Sequence, residues 1–240
     1  HLLANLGLLF PVFLVANIAF LAFWLIVKKL WAAIPFIGLV VAFGPVRRYS
    51  PLNIPADAPE GAIKVMSYNV FYFSTWDDTA QPSEILTYIK RQNPDILCMQ
   101  EFGSTGRKRE IADSTLSAFY PHHDSTDSPE RGDEICIYSR FPIVGKEKIA
   151  YKSKGNNSAA FRVVTAKGDT TIVVVNHFET TGLSIDDRSK FHAMIKGDIR
   201  NREAEQESRR LWHKLGEASA IRAPQADAVA EYVERHKGQS

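Results

Sequence analysis

The sequence predicts an α/β domain preceded by apolar helices long enough to cross a membrane. Three observations lead to this prediction. The chain opens with a long uncharged segment, a proline-rich linker follows it, and short apolar strands then alternate with amphipathic helices. With 240 residues the chain is long enough for one ordinary domain and an additional N-terminal part.

The N-terminal segment Leu2–Val27, LLANLGLLFPVFLVANIAFLAFWLIV, contains no charged residue. It exceeds the roughly 20 apolar residues that a helix needs to cross a bilayer, and it has no polar face to suit a soluble helix. It is too long for the apolar region of a signal peptide, and no basic segment precedes it. We therefore predict a transmembrane helix in which Pro11 introduces a kink.

A second apolar run, Leu30–Phe43, is either another crossing or a segment that lies at the membrane interface. Residues 1–46 form the predicted membrane anchor, with one or two transmembrane helices. If both runs cross, Lys28–Lys29 marks a cytoplasmic turn, because short basic turns stay inside. The soluble domain is then extracytoplasmic, although Arg47–Arg48 favours the opposite orientation.

Composition excludes several classes of protein. The net charge is +2 and no lysine or arginine tract is present, so the sequence lacks the basic patch typical of a nucleic-acid-binding surface. Cys98 and Cys136 both lie in apolar, strand-like runs, which indicates buried thiols. Two such cysteines give neither a disulfide framework nor a zinc site.

Residues 47–61 form a predicted linker, and residues 62–240 form the predicted domain. Its first strand is Ile63–Val70, and Pro82–Gln92 is an amphipathic helix that begins at its proline. The continuous apolar run Ile96–Met99 is typical of a strand covered on both faces.

The second half of the domain follows the same patterns. Two β-branched runs flank a Lys-Gly-Asp turn and predict a hairpin, whose second strand, Thr171–Asn176, is apolar enough to be central. The chain from Asp186 to His236 is polar and helical, with a predicted break near Pro224. The other predicted elements are a helix at Ser114–Phe119 and strands at Glu134–Ser139 and Ala159–Thr165.

Three of the predicted strands end in polar residues, namely Asn69, Glu101 and His177. Ligands of layered α/β folds bind beyond the carboxyl ends of the strands. Glutamate offers the oxygen that magnesium prefers, histidine exchanges a proton near neutral pH, and an asparagine amide can donate to a phosphate oxygen. Taken singly, Asn69 could cap a turn, Glu101 could mark where its strand reaches water, and His177 could be a satisfied edge histidine. Their joint placement predicts a polar site.

Four motifs occur in an order and spacing that resemble the endonuclease/exonuclease/phosphatase superfamily. The Gln-Glu that closes the apolar strand after PDI is the most specific of them. The motifs are SYNV at Ser67–Val70, PDILCMQEF at Pro94–Phe102, IYSRFPI at Ile137–Ile143 and VVVNHFET at Val173–Thr180. Together with the N-terminal apolar segments, they resemble a membrane-anchored bacterial branch of this superfamily.

The resemblance implies a four-layer α/β sandwich of two face-to-face sheets with outer helices. It implies Glu101 as a ligand of Mg²⁺, with Mn²⁺ as an alternative, and Asn69 as a residue that helps to bind the metal and the phosphate. It implies His177 beside the scissile phosphate, so that all three residues are catalytic. The expected localisation is the bacterial inner membrane.

Two further motifs of the superfamily, Gly-Asp-x-Asn and a late Asp-His pair, do not occur in the sequence. We therefore expect the chain to be a C-terminally truncated portion, with an incomplete sandwich and no activity of its own. The missing aspartate would activate the attacking water, and the missing histidine would complete the contacts to the phosphate.

The expected activity of the parent protein is metal-dependent hydrolysis of a phosphodiester or phosphomonoester, with nucleic acid among the candidate substrates. The expected partners are the membrane and this substrate, and the sequence identifies no protein partner. One alternative is a membrane-tethered, non-catalytic binding module with a degenerate phosphoesterase fold. Another is a transport or sensor component with an accessory soluble domain.

Removing residues 1–50 from the full-length protein is expected to give a form that stays in solution without detergent, because both uncharged segments are then gone. The measurement is the partition of the protein between membrane and soluble fractions after lysis. A shortened form that still sediments with membranes contradicts the anchor prediction.

Overall fold

The computed structural model describes residues 7, 9–51, 54, 56–77, 81–103, 106–126, 134–198 and 201–238. Parts of the predicted anchor and linker, residues 1–6, 8, 52, 53 and 55, lie outside this set. The chain forms two compact units. One comprises residues 1–60 with 183–219, and the other comprises residues 61–182 with 220–240.

The first unit begins with helix α1, Phe10–Val27, whose described side chains are all at least partly exposed. Pro11 lies in the first turn of α1, where its missing N–H has no intrahelical partner to lose. It therefore starts the helix, and the predicted kink is wrong. Within the described residues, α1 is the one helix that is long and apolar enough to cross a membrane without a bend.

Lys28 has an extended backbone and ends α1. A short 3₁₀ turn leads into α2, Ala33–Val41, and then α3, Phe43–Tyr49, follows. The stretch from Lys29 to Val41 and α3 meet at an angle of 54°, so any second crossing here is a broken one. The Asn17 amide of α1 donates to the Pro35 carbonyl of α2 at 3.1 Å, which joins the two helices as a hairpin.

Two more helices belong wholly or partly to this unit, α6 at Ile185–Lys196 and α7 at Asn201–His236. The predicted break near Pro224 is wrong, because α7 continues through it. Proline removes one backbone donor, but the next residue, Gln225, is completely buried. Its side-chain oxygen accepts the backbone N–H of Glu179, and its side-chain nitrogen donates to the Lys152 carbonyl. Packing beyond the proline therefore holds the helix together.

A buried carboxylate, Asp187, links α6 to α7. It forms a capping box with Ser184, accepts a 2.7 Å hydrogen bond from the Lys214 ammonium and pairs with Arg210 at 2.6 Å. The Lys214 hydrogen bond, together with the backbone N–H of Ser184, holds the pKa of Asp187 well below its usual range. The charged form of Asp187 therefore stabilises this helix pair.

The second unit contains a four-stranded and a three-stranded sheet. In the first sheet β1 and β2 are parallel, while β2 with β4 and β3 with β4 are antiparallel, and the strand order is β1-β2-β4-β3. Its strands are β1 at Val65–Asn69, β2 at Ile96–Gln100, β3 at His122–Thr126 and β4 at Ile135–Ser139. All five residues of β2 are buried, as the apolar run predicted.

The three-stranded sheet is antiparallel in the order β5-β6-β7, with β5 at Ile143–Ile149, β6 at Ser158–Val164 and β7 at Thr170–Asn176. Among the described residues β6 is the central strand and β7 lies at an edge, so the central position of Thr171–Asn176 stays a prediction for the parent protein. Apolar side chains of β7 pack on both faces of the sheet.

Sequence patterns missed β3 and β5 for a physical reason. The residues of β3 are His-His-Asp-Ser-Thr, so its place depends on backbone bonds to β4 and not on apolar side chains. The outward positions of β5 carry lysine and glutamate. Edge strands with polar faces give no apolar alternation to read.

Two helices cover the first sheet. Helix α4 is Glu84–Gln92, capped by the Ser83 hydroxyl, so it begins two residues after the predicted Pro82. Helix α5 is Arg107–Ser117, and it begins earlier than the predicted Ser114–Phe119.

The second unit has the four layers that the sequence led us to expect. The helices α4 and α5 pack on one face of the first sheet, and the opposite face of that sheet packs against the second sheet. The outer face of the second sheet is covered by the end of α7, with Val229 and Tyr232 against Ile149 and Ala160. The thiols of Cys98 and Cys136 are free and buried. Burial raises the pKa of Cys98 to about 12.

Asp187→Asn is expected to lower hydrogen-exchange protection of the α6 amides at pH 7, because the variant loses the charge that Lys214 and Arg210 bind. The contribution of Asp187 is fully present above its unfolded-state pKa of about 3.9 and declines as the pH falls below that value. The difference from wild type should therefore shrink below about pH 4. Asp186→Asn is the control, since its side chain is 66% exposed. Equal protection factors for the two variants at pH 7 would contradict the assignment.

Candidate active site

The structure brings the three polar strand ends together in the second unit. Asn69 is the last residue of β1, Glu101 follows β2 directly, and His177 follows β7 directly. The Asn69 amide nitrogen lies 2.8 Å from the Glu101 Oε1 atom, and the His177 Nε2 atom lies 3.2 Å from the same oxygen. The side chains of Glu101 and His177 are each 17% exposed, so ligands can reach the cluster.

The orientation of the Asn69 amide is defined by its second hydrogen bond. Its Oδ1 atom accepts the backbone N–H of Phe71 at 3.0 Å, and its nitrogen therefore faces Glu101. In this arrangement Asn69 orients the carboxylate by donating to it. The amide oxygen already accepts the Phe71 N–H, so a metal would share this oxygen with the backbone. The contact of Asn69 with a metal stays a prediction.

The backbone at Glu101 is held in the left-handed region, with φ of 53°. Non-glycine residues occupy this region at a cost of order 1–3 kcal/mol, and they persist there only when their surroundings enforce it. Here the Glu101 carbonyl accepts the N–H of Tyr72 at 2.7 Å, and the next residue, Phe102, is buried and donates to the Glu134 carbonyl at 3.3 Å. These contacts turn the chain at the end of β2 and aim Glu101 at the cluster.

A left-handed turn of three aromatic residues lies beside Glu101. Phe71, Tyr72 and Phe73 have φ values of 47°, 54° and 51°. The N–H of Phe73 donates to the Val70 carbonyl at 2.9 Å, and the N–H of Ser74 donates to the Phe71 carbonyl at 2.9 Å. L-residues pay about 1–2 kcal/mol each for this handedness. Nothing in a Phe-Tyr-Phe sequence signals it, so sequence reasoning missed the turn.

Arg109 on α5 supports the residues that follow Glu101, and sequence reasoning missed this residue too. Its guanidinium carbon lies 4.2 Å from the centroid of the Phe102 ring, and its Nη1 donates to both the Gly103 carbonyl and the Glu134 carboxylate. Burial by itself lowers the pKa of Arg109, but the hydrogen bond to Glu134 and neighbouring negative charges outweigh this and raise it. Arg109 therefore stays charged and joins α5 to this chain segment.

His177 is positioned by buried polar groups of the second unit. Its backbone N–H donates to the Asn157 carbonyl at 3.0 Å, and the Thr126 hydroxyl donates to the Asn157 side-chain oxygen at 2.8 Å. The His177 Nδ1 atom is buried and has no hydrogen-bond partner among the described residues. Buried nitrogen atoms of this kind normally have a partner.

The donor set fits a magnesium ion held by one carboxylate. The Glu101 Oε1 atom already faces Asn69 and His177, while Oε2 has no hydrogen-bond partner within the described part of the chain. Magnesium commonly takes one or two protein carboxylates and keeps water and substrate oxygens in its other positions. The described residues contain no group of three or more His, Cys, Asp or Glu side chains that could form a closed metal cage.

Residues 66–235 match the model of the Endonuclease/Exonuclease/phosphatase family, and these residues are more than two thirds of the chain. The chain therefore belongs to the endonuclease/exonuclease/phosphatase family. Its α/β fold of two packed sheets with outer helices agrees with that membership. Residues 1–49 match a separate model, described as Domain of unknown function (DUF8431).

The solved structures that match the chain include a truncated TDP2 from Caenorhabditis elegans, at 14% identity and a TM-score of 0.41, covering 57% of this chain and 55% of that one. ANGEL2, a 2′,3′-cyclic phosphatase, matches at 17% identity and a TM-score of 0.41, covering 58% and 48%. An endonuclease/exonuclease/phosphatase from Beutenbergia cavernae matches at 18% identity and a TM-score of 0.39, covering 58% and 44%. The aligned part of this chain thus spans about half of each structure. No curated protein sequence matches the chain significantly.

Arg109→Met is expected to lower the free energy of unfolding of the second unit by about 3 kcal/mol, because Glu134 is then left buried without its cation. Chemical denaturation followed through the fluorescence of the buried Trp76 measures this loss. The double variant Arg109→Met/Glu134→Gln should recover part of it, since the unpaired charge is gone. Arg107→Met, an exposed position of the same helix, is the control. A loss at Arg109 no larger than that at Arg107 would show that the pair contributes little.

Proposed function

We propose that the protein is a membrane-anchored, metal-dependent phosphoesterase that hydrolyses a phosphodiester or phosphomonoester. The observation that carries the proposal is the meeting of Asn69, Glu101 and His177 at the carboxyl ends of three strands, with 2.8 and 3.2 Å contacts to one carboxylate oxygen. Membership of the endonuclease/exonuclease/phosphatase family supports hydrolysis of a phosphoester bond as the reaction class.

Glu101 has the central role in this proposal. Its Oε2 atom is the oxygen that would hold Mg²⁺, or Mn²⁺ in its place, while Asn69 and His177 fix the other oxygen. When bound, the metal supplies positive charge to the phosphoryl and leaving oxygens. Asn69 keeps the carboxylate aimed, because one side-chain amide joins the Phe71 backbone to Glu101.

His177 would position and polarise the phosphate. A protonated imidazole adds a positive charge and a second donor beside an anionic group. The Asn157 carbonyl fixes the backbone of His177, so the imidazole already lies beside Glu101 in the proposed site.

The membrane anchor is the second part of the proposal. The apolar side chains of α1 are exposed along the helix, for example Val12 at 63% and Ile26 at 86%, and this surface is suited to lipid. If Lys29–Tyr49 makes a second, broken crossing, Lys28–Lys29 would be a cytoplasmic turn and the domain would be extracytoplasmic at the bacterial inner membrane, although Arg47–Arg48 favours the opposite orientation. The proposed partners are therefore the membrane and a phosphoester substrate.

Glu101→Gln in the full-length protein is expected to reduce hydrolysis of bis(p-nitrophenyl) phosphate about 100-fold or more, because the variant keeps the side-chain size and loses the charge that holds the cation. Release of p-nitrophenol is measured with Mg²⁺, with Mn²⁺ and after chelation. Binding of Mn²⁺, followed by its paramagnetic resonance signal, should weaken in parallel. Glu60→Gln, an exposed loop position, is the control and should hydrolyse as wild type does.

Two outcomes would overturn the proposal. Glu101→Gln with wild-type turnover at limiting Mg²⁺ would remove Glu101 from the site. A full-length wild-type protein that binds Mn²⁺ but hydrolyses neither this ester nor DNA, sphingomyelin and phosphoinositides would instead indicate the non-catalytic binding module.

A further inference from the structure

The segment that carries His177 is bonded to the loop between β5 and β6 at three successive residues. The His177 N–H donates to the Asn157 carbonyl at 3.0 Å, and the Phe178 carbonyl accepts from the Asn156 side-chain amide at 2.8 Å. The side chain of the next residue, Glu179, accepts hydrogen bonds from the same loop. The segment and the loop are therefore held side by side from the first of these residues to the last.

Glu179 is a buried carboxylate, only 8% exposed, and one of its oxygen atoms, Oε2, makes both bonds to the loop. The donors are the Ser153 hydroxyl at 3.0 Å and the Lys154 backbone N–H at 2.8 Å. Burying a carboxylate costs free energy, which hydrogen-bond donors offset. Because these two bonds reach from one chain segment to another, they favour a single arrangement of the segments.

Gln225 of α7 joins the same two segments through their backbones. Its side-chain oxygen accepts the Glu179 N–H at 2.9 Å, and its side-chain nitrogen donates to the Lys152 carbonyl at 2.8 Å. The residue is completely buried, so losing either bond would leave a polar group unpaired away from water. Glu179 and Gln225 together form what we call the polar bridge between the His177 segment and the loop.

We propose that Glu179 and Gln225 are positioning residues for His177. The polar bridge begins two residues from His177, whose Nε2 atom lies 3.2 Å from the Glu101 carboxylate, and by fixing the segment it keeps the imidazole at that distance. This inference rests on the proposed function, in which His177 positions and polarises the phosphate. Neither residue of the bridge touches the substrate in this role. A shift of about 1 Å in a group that contacts the reacting atoms can lower the rate about 100-fold.

Glu179→Met in the full-length protein removes the acceptor oxygen at similar side-chain length. It should lower kcat for bis(p-nitrophenyl) phosphate by about 10- to 100-fold, measured well below the unfolding temperature of the variant. KM and the affinity for Mn²⁺ should stay close to wild type, because Glu101 is unchanged. Glu179→Gln should recover most of the loss, since an amide oxygen can accept the bonds from Ser153 and Lys154. Gln225→Met should act in the same direction as Glu179→Met.

Hydrogen exchange of the metal-free protein measures the same effect without catalysis. In Glu179→Met the amides of residues 176–180 and of the β5–β6 loop should lose protection, while those of β2 keep it. Glu147→Met is the matched control, because the Glu147 carboxylate also accepts a side-chain hydrogen bond, from the Tyr232 hydroxyl at 2.9 Å, but it lies on β5 outside the bridge. This variant should keep the wild-type kcat and the protection of residues 176–180.

Three results would overturn the positioning role. They are a Glu179→Met variant with wild-type kcat, equal losses of kcat in Glu179→Met and Glu179→Gln, and a loss of protection in Glu179→Met that extends equally to β2. Failure of the proposed function has a different signature. In that case the wild-type protein hydrolyses no phosphoester, while Glu179→Met still loses protection only in the His177 segment and the loop.

Discussion

The parallel pairing of β1 with β2 is the constraint on which the site depends. In this register Asn69 lies opposite Gln100, so the residue after Gln100 leaves the sheet beside the Asn69 side chain. In an antiparallel pair the C-terminal ends of the two strands would lie at opposite ends of the pair. The 2.8 Å bond between Asn69 and Glu101 is therefore a consequence of strand direction, although 32 residues separate them in sequence.

The packing of the two sheets positions His177, the third residue of the site. Apolar side chains of β2 and β4 on one sheet meet those of β6 and β7 on the other, and this shared core fixes where β7 ends. His177 leaves the second sheet at that end and approaches Glu101 to 3.2 Å. The site thus lies across two sheets, and its geometry is only as stable as the core between them. This relation links the burial of apolar side chains directly to the proposed chemistry.

Backbone strain is concentrated next to this site. Glu101 and the Phe71–Phe73 turn all have positive φ values, and this arrangement costs several kcal/mol in total. Compensation comes from the burial of Phe73 and Phe102 and from the hydrogen bonds of Arg109 around Glu101–Gly103. The stability of the core is therefore what allows a strained, exposed aromatic turn beside Glu101, and a weaker core would relax it. The same compensation keeps the proposed ligand groups in place before any substrate arrives.

The sequence by itself determined the order of most elements, the buried strand β2, the apolar N-terminal helix and the three polar strand ends, because each of these depends on local apolar periodicity or on a change from apolar to polar residues. The tertiary structure decided the rest. Backbone pairing places the polar strands β3 and β5, α7 continues through Pro224, and Phe71–Phe73 form a left-handed turn. These features depend on contacts between residues distant in sequence, and such contacts leave no periodic signal in the chain itself. Arg109 is the clearest case, since an arginine on an amphipathic helix looks like a solvent-exposed residue until its buried glutamate partner is known.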